Sequence, residues 1–142
     1  MLEVQRGCAG VKIFLLVVIF MAGMINGEGT TSGRADSIEL KPGQEKLLRG
    51  AGVRVRLVAV EEDSRCPEGV NCIWAGNVRV ALLVKGPGKS QRREALNTAT
   101  PPRELKINGR TMTISKVIPA KVVEREIKNG SYRITLTLAP RD

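Results

Sequence analysis

The chain has 142 residues, of which 23 are Lys or Arg and 14 are Asp or Glu, for a formal net charge of +9. It contains no histidine, which excludes Ser-His-Asp and Cys-His nucleophilic schemes and removes the commonest metal ligand. One Trp, one Tyr and two Phe are too few to stack nucleobases, so the basic excess points to anionic envelope surfaces rather than nucleic acid.

Residues 1–29 read as a secretion signal. Arg6 and Lys12 form a positive start, and residues 13–25 (IFLLVVIFMAGMI) carry no charge. Such a run suits a signal core and is shorter than the roughly 18 residues a membrane span needs. Gly27 and Gly29 supply small residues for cleavage, so no transmembrane span is expected to remain. Cleavage before Glu28 would remove two basic residues and one acidic one and leave a charge of +8. The expected location is therefore periplasmic or extracellular, where cysteines pair. Residues 30–36 (TTSGRAD) are small and polar and read as a tether. Residues 37–142 are long enough for one small core and not for two domains.

Residues 37–40 (SIEL) form a brief strand, 41–44 (KPGQ) a turn, and 46–48 a return strand. Residues 53–60 (VRVRLVAV) alternate most clearly, with Val53, Val55, Leu57 and Ala59 facing one way and Arg54 and Arg56 the other. Glu61, Glu62 and Asp63 are expected to break this strand. Residues 77–85 (NVRVALLVK) form the next strand, with Val78, Val80, Leu82 and Val84 on one face. Residues 90–97 fit a strand or a short helix. Asn108-Gly109 between two apolar-alternating segments is the strongest hairpin signal, because both residues accept positive φ. Residues 117–119 (VIP) continue towards a sheet edge, and 121–127 (KVVEREI) stay ambiguous between strand and helix. Asn129-Gly130 reads as a second hairpin turn, which suffices to explain the glycosylation-like Asn129-Gly130-Ser131. Residues 132–138 follow, with Tyr132, Ile134, Leu136 and Leu138 on one face. About seven short strands with turns every 8–12 residues predict an all-β, single-domain antiparallel β-sandwich or partly open barrel. The scattered arginines read as solvated sheet faces.

Residues 63–76 (DSRCPEGVNCIWAG) organise the rest. They hold the only cysteines outside the leader, Cys66 and Cys72, and the only tryptophan, Trp74. Pro67, Gly69 and Asn71 lie between the cysteines as turn formers. A bridge between Cys66 and Cys72 is expected to shape this loop more than to hold the domain, because so short a loop gains little chain entropy. Trp74 is expected to cover the sulfurs or the neighbouring core. The pattern Asp-Ser-Arg-Cys-Pro followed by Cys-x-Trp-Ala-Gly resembles a family of small exported bacterial proteins, often lipoproteins, whose function is uncharacterised. The resemblance implies export and brings no function with it. Lipoprotein members carry a cysteine just after the leader; here Cys8 precedes the apolar run, so no lipidated cysteine is expected.

Cys66 and Cys72 could serve as a redox pair or, with carboxylates or Met112, as a metal site, but five intervening residues are unlike redox pairs, which usually have two. Glu61, Glu62, Asp63 and Glu68 form an acidic cluster that could take calcium, but without EF-hand spacing a solvated loop paired with Arg65 is the simpler account. Asp63, Ser64 and Arg65 could present a recognition edge or shape the loop internally. The sequence thus predicts a non-catalytic, exported binding or envelope-associated module without cofactor or metal. Its candidate contact residues are Asp63, Ser64, Arg65, Ile73 and Trp74, and its partner is a protein or an anionic envelope surface. A periplasmic metal-binding or thiol-active protein and a secreted enzyme inhibitor presenting the loop are the alternatives.

Overall fold

Alternating apolar and polar residues build eight strands in the computed structural model, which describes residues 36–140. The leader expected over 1–29 and the tether over 30–35 lie outside the described residues, and Asp36 already belongs to the first strand. The strands are β1 (Asp36–Leu40), β2 (Glu45–Leu48), β3 (Val53–Asp63), β4 (Val78–Lys85), β5 (Arg92–Asn97), β6 (Leu105–Ile107), β7 (Arg110–Ile118) and β8 (Arg133–Leu138). They form two antiparallel four-stranded sheets in the orders β1-β8-β7-β6 and β2-β3-β4-β5. Among the described residues no helix is long and apolar enough to cross a membrane.

The period of two places one row of each strand in a single shared core. Val53, Val55 and Leu57 of β3 and Val80, Leu82 and Val84 of β4 supply one side of it. Ile134, Leu136 and Leu138 of β8, Met112 of β7 and Leu40 of β1 supply the other. Burying each such side chain stabilises the fold by roughly 1.5–3 kcal/mol relative to exposure. Arg54 and Arg56 point to solvent from the outer face of β3, as their alternation predicts.

Asn108-Gly109 makes the expected two-residue hairpin between β6 and β7, with φ of 50° and 77°. Residues 92–97 resolve to a strand. The strands number eight, in line with the seven or so expected. Three expectations need correction. Glu61, Glu62 and Asp63 do not break β3, because register shifts against β4 between Leu57 and Ala59 and between Val60 and Glu62 carry the strand on. The Glu61 carboxylate then meets arginines from the next two strands of the sheet, 3.2 Å from Arg79 Nε on β4 and 2.9 Å from the Arg93 guanidinium on β5. Residues 121–127 are neither strand nor helix; they form a loop in which Glu124 has φ of 60°. Asn129-Gly130 sits in a 3-10 turn, Asn129–Ser131, rather than a hairpin, because no strand precedes it to pair with β8. The Asn129 side-chain oxygen instead accepts the Val60 N–H at 3.2 Å, tying that turn to β3.

Candidate functional site

The end of β3 and the start of β4 deliver the two stems of the 63–76 loop side by side. Ser64 N–H donates to Asn77 O at 2.8 Å, and Asn77 N–H donates to Ser64 Oγ at 3.0 Å. The chains approach so closely at Gly76 that a Cβ there would lie 2.3 Å from Ser64 O and 2.6 Å from Arg65 Cα. Gly76 also has φ of 67°, a conformation that costs other L-residues free energy.

Asn77 is buried, and its side chain serves a hub. Its amide nitrogen donates to Asn97 Oδ1 at 3.0 Å, and its oxygen accepts the Ala99 N–H at 3.0 Å. Thr98 clasps the next residue on both sides: Val78 N–H donates to Thr98 Oγ1 at 2.9 Å, and Thr98 N–H donates to Val78 O at 3.0 Å. Among the described residues no buried side-chain polar atom is left without a partner. The loop stem is thereby fixed to the segment after β5.

Asp63 and Arg65 fix it to the other sheet. Arg65 donates from Nε to Asp63 Oδ1 at 2.9 Å and from its guanidinium to Oδ2 at 2.7 Å, a two-point pairing. The Tyr132 hydroxyl, at the start of β8, donates to the same Oδ2 at 2.9 Å. The Arg65 guanidinium also donates to Val117 O at 3.3 Å and Pro119 O at 2.9 Å. Lys121 Nζ donates to Asp63 O at 2.8 Å, and Glu68 N–H donates to Lys121 O at 2.9 Å. Burial alone would raise the Asp63 pKa, but the hydrogen bonds from Arg65 and Tyr132 outweigh it and lower the value to about 2. Burial, reinforced by the bond to the Asp63 carboxylate, pushes the Tyr132 phenol up to about 12. Of the two readings of Asp63, Ser64 and Arg65, the geometry thus favours internal shaping.

Cys66 and Cys72 form a disulfide with Cα atoms 5.9 Å apart, closing the outer part of the loop. Beyond it stand Ile73, 91% exposed, and Trp74, 81% exposed. Trp74 therefore does not pack into the core, one of the two places expected for it; with Gly76 pinned against the stem, its side chain is presented outward. The acids of this region do not converge on one point, since Glu61 serves arginines, Asp63 serves Arg65, and Glu62 accepts the Ser64 hydroxyl at 3.1 Å. Among the described residues no three His, Cys, Asp or Glu side chains are grouped to hold a metal. Met112, weighed with the cysteines for copper, is buried in the core.

Beside the loop lies an open groove of about 440 Å³, bounded by Arg65, Ala75 and Gly76, by Thr98 and Ala99, and by residues 114–117 of β7. Sequence reasoning missed the roles of Asn77, Tyr132 and Lys121. The first had a signal: an asparagine directly after a glycine and directly before an apolar strand is placed to satisfy a loop stem. Tyr132 and Lys121 lie more than 50 residues from Asp63 in the chain and gave none. Compared with family models, with curated proteins and with solved structures, the chain matches none, and the site is read from its own geometry.

Proposed function

We propose that the chain is an exported, non-catalytic binding module that recognises a partner protein through the tip of the disulfide-closed loop. One observation carries this reading. Ile73 and Trp74, the most exposed large apolar side chains among the described residues, stand next to each other on a loop braced at both stems. Exposing an isoleucine and an indole together costs solvation free energy, and holding them rigidly lowers the entropy lost on docking. Aromatic anchors of this kind dominate interface energetics. Asp63, Ser64 and Arg65 belong to the brace in this reading and not to the contact. Export rests on the apolar leader and on the disulfide, which suits an oxidising compartment.

The inhibitor reading shares this geometry, since a rigid convex loop also fits an enzyme cleft. A photo-crosslinking residue placed at Ile73 tests both. A defined protein adduct, lost in Trp74→Ser, supports the module, and adduct formation with a hydrolase that loses activity favours the inhibitor. No adduct, together with a blue shift of Trp74 emission on vesicles rich in anionic lipid, would transfer the tip to a membrane surface and overturn the proposal.

A further inference from the structure

β6 spans Leu105–Ile107 and pairs only with Arg110–Met112 of β7, which runs on to Ile118. On that side, among the described residues, β7 has no strand neighbour beyond Met112. Antiparallel strands turn the N–H and C=O of alternate residues to the same side. The two-residue Asn108-Gly109 turn makes Ile107 and Arg110 the closing pair, so Met112 and Ile114 turn their backbone groups towards the β6 side. Thr111 O faces the other way, where it accepts the Ala139 N–H at 2.8 Å. The register shift against β8 between Ile114 and Lys116 moves the phase by one residue, so that Val117 turns to the β6 side next. Arg65 reaches Val117 O there, at 3.3 Å.

The groove lies along this edge, with Thr98 and Ala99 as its far wall and Ala75, next to Trp74, at the loop. We propose that it receives an extended, acidic peptide segment of the partner, which adds as a strand to β7 across residues 114–117. This rests on the recognition reading above and names the chemistry of the partner. The span is about 10 Å at 3.3 Å per residue, so roughly three to four peptide residues pair there. Strand addition supplies affinity through main-chain hydrogen bonds, and side pockets supply selection.

Charge sets the sign of the peptide. No carboxylate bounds the groove, Lys116 is exposed, and among the described ion pairs Lys116 has none. The Arg65 charge is already matched by Asp63. The bulge and the lysine are devices by which sheet edges avoid indiscriminate pairing. A second copy of this chain would bring the same lysine and the same positive excess, which disfavours self-pairing.

The test selects a displayed library of random octapeptides on the oxidised chain. Enriched peptides are expected to combine β-forming residues with Asp or Glu. Their affinity should fall at least tenfold against Ala99→Trp, which fills the groove from an exposed position, and against Lys116→Glu. It should fall similarly when alternate peptide amides are N-methylated. Far-UV circular dichroism and the thermal midpoint confirm that each variant is folded. Peptides that bind Ala99→Trp and tolerate N-methylation, yet are lost in Trp74→Ser, would overturn strand addition and leave the loop reading standing. A library with no enriched binder overturns the peptide proposal alone if Ile73 still crosslinks to a protein, and removes both readings if it does not.

Discussion

Asp63→Asn keeps the shape of the side chain and removes the charge that Arg65 and Tyr132 hold. Lowering the pKa from 3.8 to about 2 is equivalent to about 2 kcal/mol in favour of the folded state. The Asp63 side chain is only 9% exposed, so solvent screening takes little from this figure. The folded state binds its proton less readily than the unfolded chain. The contribution is therefore fully present above the unfolded value near 4 and is lost as pH falls through about 2. The variant also leaves a guanidinium that is 19% exposed without its carboxylate, and breaking a buried pair costs about 3–5 kcal/mol. Because Val117 O and Pro119 O still accept from Arg65, the lower end applies, and we expect a loss of about 3 kcal/mol at pH 7. For a domain of this size that lowers the midpoint by about 10–15 °C. Urea titrations followed by far-UV circular dichroism at pH 7, 4 and 2 measure it, and the gap between the two proteins should narrow to about 1 kcal/mol at the acid end. A variant within 0.5 kcal/mol of the parent at pH 7, or a gap that does not change with pH, would refute the assignment of Asp63 as the charged centre of the brace.

Gly76→Ala places a Cβ against the Ser64 carbonyl and strains a positive φ; it should cost about 3 kcal/mol or more, measured by thermal unfolding, and a neutral outcome would mean that the stems are not packed as described. The chain has a single tyrosine, so ultraviolet titration reads Tyr132 alone; ionisation should be delayed to about 12, and Asp63→Asn should bring it back towards 10. Replacing both Cys66 and Cys72 by Ser releases a seven-residue ring, for which chain entropy predicts a loss of about 2.4 kcal/mol. Because that ring lies outside the brace, amide exchange at Asn77 and Val78 should change far less than at Val70 and Cys72. Trp74→Ser should leave stability within about 0.5 kcal/mol, as expected for an exposed side chain, and a larger loss would put the indole in the fold.

The strands were legible where a single local rule decides them. Alternation placed Val53, Val55 and Leu57 inside, and the positive φ tolerated by Asn108 and Gly109 placed the hairpin. The failures occurred where a distant partner decides. Glu61 looks like a strand breaker until Arg79 of β4 and Arg93 of β5 come within reach of it. Asn129-Gly130 has the same turn chemistry as Asn108-Gly109, but it became a tether for Val60 because β8 finds its neighbours elsewhere. The site was legible by half: the disulfide followed from spacing, while the brace needs residues 117–132, whose nearness to Asp63 no local pattern encodes. Trp74 misled because tryptophans are highly buried on average, and nothing in Ile-Trp-Ala-Gly says that the glycine must serve the stem and leave the indole outside.

The clamp between Ser64 and Asn77 separates two kinds of inheritance in the chain. Within the loop, the stem is closed by residues 63–65 and 76–77 and their partners on the sheets, while residues 67–71 inside the disulfide ring make only one backbone bond outward, from Glu68 to Lys121. The ring and the two residues after it are thus free to change sequence, and even length, without touching the sheets. An engineer could graft foreign recognition peptides between Cys66 and Cys72 and keep the host fold. Natural descendants of this chain could likewise exchange partners by rewriting a handful of codons.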